Sequence, residues 1–494
     1  MKSVDKIIIS LLFVFMAGMA QAGTLTPGAL FADNMVVQRD RPFRIFGTAN
    51  AGQTVAISFA GRQVACCADT NGVWQTELSP FKASLDPLEM EITDGADKII
   101  LKNILVGDVW LCSGQSNMQR PVKAFSALKI DPEEKHPVVR VVATEQRTSA
   151  QPLDTVPIAS AFAGSWQECS GEALQNTSAT AFYFGTRLQR ELNVPIGLVV
   201  NAWGGTRIEP WCSRETLESI GVVGDAGNSQ KVNQDTPSAL YNAMIYPLRN
   251  FGFKGVIWYQ GESNARNGDP VKYRDVFSSM ITDWRDLFGQ PRMPFLFVQL
   301  APFGGRGPAE SWAVLRESQA KALSLPNTGM AVITDAGEFA DIHPQQKRVV
   351  GERLALQALK LDGRSVAADS PVFSKIETGG SRCRLWFDHA ESGLETRRVA
   401  MNRQRDLPPG TDPQAFVAEA DCLYGFEICG ADRKWGEARA RILPGEPGAV
   451  EVWSDQVSSP VAVRYGWANF PLCNLYNGNG LPASPFRTDG FLNN

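Results

Sequence analysis

Ser116 stands where a hydroxyl can be put to chemical use. Residues 109–112, Val-Trp-Leu-Cys, have the composition of a short strand buried on both faces, and they break into Ser113-Gly114-Gln115-Ser116-Asn117, small polar residues that turn the chain. A serine on the turn leaving such a strand is lifted to the edge of the sheet. Met118 stands where a G-x-S-x-G elbow would have its second glycine. The hydroxyl attacks only when a base takes its proton and a third group orients that base. Three histidines are available. His136 follows Glu133-Glu134-Lys135, precedes a proline and reads as a solvated loop residue; His389 follows Asp388 in a β-like region and reads as satisfied or exposed. His343, in Asp341-Ile342-His343-Pro344, lies after a strand and just before a helical pattern, where a sheet-edge base belongs.

An acyl transfer also needs donors for the developing oxyanion, each worth about 3 kcal/mol. The Ser116 amide, an amide of Gly204 or Gly205, and the Gln260 side chain offer them from three separate loops. Each feature has an ordinary reading too: a capped polar loop at 113–117, Asp341 as a helix cap, a glycine turn, a buried glutamine. Their recurrence at separate strand ends favours chemistry.

The surrounding elements must put those loops together. After Val106, apolar runs alternate with helical patterns, the mark of a parallel sheet covered by helices. Strands are expected at 196–200, 256–259, 295–300 and 330–334, and helices at 180–192, 273–288 and 345–361. In the second helix Tyr273, Val276, Met280, Trp284 and Leu287 share a face. Carboxyl-end loops of open α/β sheets build binding sites, and the candidate residues lie in those loops. Residues 23–103 read as all-β, with short alternating runs and turns at Asn71-Gly72 and Asp94-Gly95; 88–93 and 98–101 form a hairpin around the latter. Beyond Ala367 the chain is β-like again, with strands expected at 372–377, 384–387, 440–443 and 450–453. The closing stretch 465–489 is rich in Asn, Pro and Gly and reads as lying across another surface.

Composition limits the function classes. A chain of 494 residues with 44% hydrophobic and 20% charged residues makes two or three well-packed domains. Its net charge of −4, with no basic stripe, argues against nucleic-acid binding. Lys2 and Lys6, an apolar run at 7–20 and Ala20-Gln21-Ala22 form a secretory signal, so a mature chain beginning near Gly23 in the periplasm or outside the cell is expected, not held in a membrane. Nine cysteines, an odd number, allow disulfides such as Cys422 to Cys429 without deciding any. No C-x-x-C occurs and histidines are few, which argues against a zinc site.

Residues 113–118 (SGQSNM), 258–264 (WYQGESN) and 341–344 (DIHP) resemble the signature blocks of the sialate O-acetylesterase family, a branch of the SGNH hydrolases. Stretches 30–40, 204–211 and 474–489 extend the resemblance over nearly the whole mature chain. It implies an α/β fold: an SGNH-type three-layer α/β/α unit with a parallel sheet, flanked by N-terminal and C-terminal β-sandwich-like domains. The expected division is a signal at 1–22, a β-sandwich at 23–104, the catalytic unit at 105–366, a β-rich accessory domain at 367–464 and a closing segment at 465–494 that packs back on the catalytic unit.

The implied activity is removal of O-acetyl groups from carbohydrates without metal or cofactor. By motif position Ser116 is the nucleophile, His343 the base, and Gly205 and Gln260 partner the Ser116 amide in the oxyanion hole. SGNH hydrolases place an acid three residues before the histidine, but Ala340 is there. Asp341 is the expected acid, with Asp335 and Glu338 as alternatives and a Ser–His dyad as a third arrangement. Arg207, Trp211, Glu262 and Asn264 are the expected substrate contacts, with Trp203 and Trp258 as further stacking surfaces. Arg207 or Arg120 would meet the carboxylate of a sialic acid. Acetylated plant-wall glycans, xylan or xyloglucan, are the alternative substrates. A non-catalytic carbohydrate-binding protein would leave the Ser116 and His343 loops unexplained, and a glycosidase would need paired carboxylates across the site. The oligomeric state is left open.

Overall fold

The computed structural model describes residues 24–491 apart from 132, 223–231, 306, 402–409 and 411. The expected signal at 1–22 lies outside the described residues.

One strand, Lys98–Gly114, organises the molecule. Its first part pairs antiparallel with Ser84–Thr93 around the Asp94-Gly95 turn, and its second part pairs in parallel with Ile196–Ala202 and Gly255–Tyr259. The hairpin arm and the strand before Ser116 look separate in sequence because alternation gives way to continuous burial partway along. They are one element that crosses from the N-terminal β region into the α/β sheet. Around its first part, strands Phe43–Thr48 and Val73–Leu78 form one sheet and Thr54–Phe59, Arg62–Cys67 and Ser84–Thr93 pair in another, and Phe43 meets Phe59 between them at 6.1 Å.

The parallel strands lie in the order Lys135–Ala143, Ile196–Ala202, Lys98–Gly114, Gly255–Tyr259, Phe295–Val298 and Thr328–Ala331, with Gln167–Ser170 antiparallel at one edge. From Lys98–Gly114 the chain passes to Lys135–Ala143 and Gln167–Ser170 at the edge, returns to Ile196–Ala202 in between, then crosses to the other side at Gly255–Tyr259. That reversal leaves a crevice at the carboxyl ends, beside the strand that delivers Ser116. Trp110 packs on Phe184 of helix Ala179–Leu192 at 5.0 Å. Gly255 is the partner of Trp110 in the register, so Trp258 points to the opposite face, where it meets Trp284 of helix Tyr273–Leu287 at 5.7 Å. Helices therefore cover both faces. Helix Lys347–Leu361 crosses Ala179–Leu192 at Gly351, where a Cβ would stand 2.7 Å from the Thr180 carbonyl oxygen.

The strand Lys135–Ala143 corrects the reading of His136 as a loop residue. Pro137 sits where the antiparallel register with Gln167–Ser170 shifts, so the strand carries a proline that marks it as broken in sequence. The His136 ring is half-buried, 2.8 Å from Glu134 through Nε2 and 5.4 Å from the Phe182 ring. Beyond Ala367, strands Val372–Gly379, Arg382–Asp388, Ala449–Trp453 and Arg439–Ile442 form one antiparallel sheet, and Phe426–Cys429, Ala462–Tyr465 and Phe486–Arg487 belong to another. The stacked rings of Phe373 and Phe486, 4.6 Å apart, join the two. All nine cysteines are unpaired. No helix among the described residues is long and apolar enough to cross a membrane.

Candidate active site

Gly114 ends the central strand with φ 135°, and a Cβ there would fall 2.2 Å from the Tyr259 carbonyl oxygen, so glycine is required for the turn. The Gln115 amide donates to that same carbonyl at 2.9 Å, tying two strand ends together. A single helical turn, Ser116–Gln119, follows. It places Ser116 Oγ 2.9 Å from His343 Nε2. His343 arrives on the loop between Thr328–Ala331 and the helix Lys347–Leu361. The expected nucleophile and base are thus within hydrogen-bond distance, the separation that proton transfer between such a pair requires.

The glycine loop reaches the same point. Trp203 donates its amide to the Gly114 carbonyl at 3.0 Å, and a Cβ on Gly204 would lie 3.2 Å from Ser116 Cβ. The Gly204 amide is taken by Gln119 Oε1 at 2.7 Å. The Gly205 amide, at φ 80°, and the Ser116 amide enter no hydrogen bond among the described residues. Of the two glycines, Gly205 therefore has the donor to spare. Gln260 does not. It is fully buried, its Nε2 donates to Asn264 Oδ1 at 2.8 Å and to the Thr206 carbonyl at 3.1 Å, and its Oε1 accepts from Tyr273 at 3.0 Å. Both N–H groups are used, which corrects its expected role as an oxyanion donor: it joins three loops instead.

Residues 106–360 match a family described as carbohydrate esterase, sialic acid-specific acetylesterase. The chain belongs to that family. It is 30% identical to a sialate O-acetylesterase of Homo sapiens, covering 92% of this chain and 90% of the relative. It is 31% identical to the one of Mus musculus, with 93% of both covered. A crystal structure of a carbohydrate acetylesterase from Xanthomonas citri superposes with a TM-score of 0.81 at 36% identity, covering 94% of this chain and all of that one. The protein is accordingly a carboxylic ester hydrolase with a carbohydrate acetylesterase fold, and the readings as a binding protein or a glycosidase fall away.

Among the acids considered for this esterase, Asp341 is the one beside the histidine. Its Oδ1 accepts the His343 backbone amide at 2.8 Å and stands 3.6 Å from Nδ1. Hydrogen bonding to His343 holds its carboxyl below the usual range, and the charge of Arg120 adds to this. Asp335 is committed elsewhere: burial would raise its pKa, but a two-pronged pair with Arg353 at 2.6 and 2.7 Å and a bond from Tyr476 at 2.8 Å outweigh it. Glu338 accepts the Gln345 amide at 3.0 Å and braces the loop. Arg120, from just beyond the nucleophile turn, places Nη1 3.3 Å from His343 Nδ1.

Three expected substrate contacts are structural instead. Trp211 is fully buried and donates to Thr206 Oγ1 at 3.0 Å; Trp258 is buried as well. Asn264, 1% exposed, accepts from Ile208 at 3.0 Å and donates to Glu209 at 3.2 Å. Glu262, 3% exposed, accepts from Asn117 at 2.5 Å. Motif residues mark positions, and these side chains hold the loops from below. Arg207 and Trp203, half-buried on the glycine loop, remain at the surface, and Arg207 has no hydrogen bond or ion pair among the described residues.

A buried trio missed in sequence lies beneath Ser116 and His343. Asn117 donates to Glu262 and to the Ile342 carbonyl at 3.0 Å, and it accepts from Lys347 Nζ. Burial pushes the Lys347 ammonium down to about 7 despite the pull of Glu262, and burial pushes Glu262 up. The ammonium also lies over the rings of Phe125 and Tyr259, at 5.1 and 5.3 Å. The trace in sequence is a lysine at the start of an otherwise inward-facing helix.

Proposed function

We propose that this chain is an exported serine esterase that removes O-acetyl groups from sialic acid through an acetyl-enzyme. The contact of Ser116 Oγ with His343 Nε2 at 2.9 Å carries the reading. Ser116 attacks the acetyl carbonyl as its proton passes to His343. The tetrahedral oxyanion is met by the amides of Ser116 and Gly205, and Asp341 stabilises the imidazolium. His343 returns the proton to the departing sugar oxygen. Water, deprotonated by His343, then releases acetate and restores Ser116.

The sialate substrate is supported by the names of the relatives and by the uncommitted Arg207 and the site-edge Arg120, since paired N–H donors suit a carboxylate. Acetate release from O-acetylated sialic acid, measured beside acetylated xylan and xyloglucan oligosaccharides, tests it. The highest kcat/KM is expected for the sialate; a preference for the neutral glycans would overturn the substrate but leave the chemistry. Export is tested by sequencing the N-terminus of the protein outside the cytoplasm, where Gly23 is the expected first residue.

A further inference from the structure

The contact between Arg120 and His343 Nδ1 conflicts with the chemistry the histidine has to do. A guanidinium has only donors, so at 3.3 Å from Nδ1 it fixes that nitrogen as the acceptor. The ring proton is then on Nε2, where it is donated to Ser116 Oγ at 2.9 Å. A base needs the opposite arrangement: Nε2 bare toward the serine, and the proton on Nδ1 toward Asp341 Oδ1, which waits 3.6 Å away. Arg120 therefore occupies the nitrogen whose proton the acid would otherwise receive.

The guanidinium is poorly anchored there. Its Nε is buried without a hydrogen-bond partner, its Cζ lies over the Phe125 ring at 5.8 Å, and no carboxylate pairs with it among the described residues. A planar anion offering two oxygens would satisfy it better than one ring nitrogen does. Building on the sialate reading above, we propose that Arg120 recognises the substrate's carboxylate and, by giving up its hydrogen bond to His343 Nδ1 as it does so, switches the histidine from an inactive to an active tautomer. In the switch Nδ1 gains a proton from solvent and Nε2 returns one to solvent, so the ring stays neutral. Specificity then has two layers: the carboxylate is bound, and its binding licenses the base. A neutral acetyl ester meets a histidine still held in the wrong form.

The three histidines make imidazole ¹⁵N NMR of the whole protein a direct test. In the substrate-free enzyme His343 is expected to carry its proton on Nε2. Adding N-acetylneuraminate, or making Arg120→Gln, moves the proton to Nδ1. Kinetically, Arg120→Gln loses about 100-fold in kcat/KM on O-acetylated sialate, as for lost hydrogen bonds to a charged group. The same variant gains kcat on p-nitrophenyl acetate, and Arg120→Lys falls between. A proton already on Nδ1 in the substrate-free wild type would overturn the proposal, as would proportional losses on both esters. Should Arg120→Gln fail to fold, the wild-type titration decides alone. If O-acetylated sialate is not hydrolysed while N-acetylneuraminate still moves the proton, the sialate assignment fails and the switch stands.

Discussion

On the proposed mechanism, Ser116→Ala removes the atom that forms the acetyl-enzyme. The remaining amides still polarise a carbonyl, so turnover on p-nitrophenyl acetate is expected to fall by about 10⁴-fold or more while KM changes little. Circular dichroism should be unaltered, because Ser116 Oγ contacts only His343 among the described hydrogen bonds. The acid is separated from its rivals by a second pair. Asp341→Asn keeps the shape but loses the charge beside Nδ1, so turnover is expected to drop about 100-fold or more, as it does when a catalytic base loses its orienting acid. Asp335→Asn instead strips Arg353 of its partner, so it lowers stability in urea and leaves turnover near the wild-type value. At this scale the recurrence of serine, histidine and glycine at separate strand ends singled out loops that the structure brings to one point. Gln260, Glu262, Asn264 and Trp211 were not legible in this way: a motif shows that a side chain matters without showing whether it faces the cleft or the loops beneath it.

Between elements, the Lys347–Asn117–Glu262 trio ties the Ser116 turn to the His343 loop. Asn117 spans the nucleophile turn, the Ile342 carbonyl next to His343 and the first residue of helix Lys347–Leu361. Replacing Lys347 by Met has a pH signature that simple loss of packing lacks. An ammonium whose folded pKa is near 7 and whose unfolded value is 10.5 binds fewer protons folded than unfolded between those limits. The wild type therefore gains stability relative to Lys347→Met as pH rises through that window, by about 1.4 kcal/mol per unit. Urea midpoints of both proteins at pH 7, 8.5 and 10 measure it, and parallel curves would refute the burial of a titrating lysine. The main helices were readable from periodicity, whereas the strand Lys98–Gly114 reads as two pieces because its alternation gives way to continuous burial. Helix Ser311–Lys321 was not readable, because its inward face carries Arg316, Ser318 and Gln319, polar residues that serve neighbouring backbone carbonyls. An apolar-period test passes over such a helix.

Across the whole molecule, a buried cation helps hold the closing segment to the α/β sheet, beside ring contacts such as Phe339 with Phe470 at 5.3 Å. Arg316 is fully buried; its Nε donates to the Leu300 carbonyl at 2.9 Å, and its two Nη groups donate to the carbonyls of Ala468 and Asn469 at 2.8 Å each. Phe303 and Trp312 add their amides to Asn469, through its carbonyl at 3.1 Å and its Oδ1 at 3.0 Å. The same segment continues through Tyr476, which reaches Asp335, and then into the C-terminal sheet with Phe486–Arg487. Sequence composition marks this stretch as lying across another surface, but nothing in it announces the anchor, which comes from an unrecognised helix more than a hundred residues earlier. Arg316→Met fills similar volume while removing the donor to the Leu300 and Ala468 carbonyls and one of the two donors to the Asn469 carbonyl. Each hydrogen bond to a charged group is worth about 1.5–3 kcal/mol, so a loss of at least 3 kcal/mol in urea is expected. Arg316→Lys, able to serve fewer of the carbonyls, should lose less. Because no part of the Ser116–His343 contact runs through Arg316, turnover on p-nitrophenyl acetate should stay at the wild-type value wherever the variant is folded, while proteolysis near residues 466–470 accelerates. A variant within 0.5 kcal/mol of wild type, roughly the scatter of surface substitutions, would mean that the C-terminal β region is docked by its other contacts and that Arg316 only fills space.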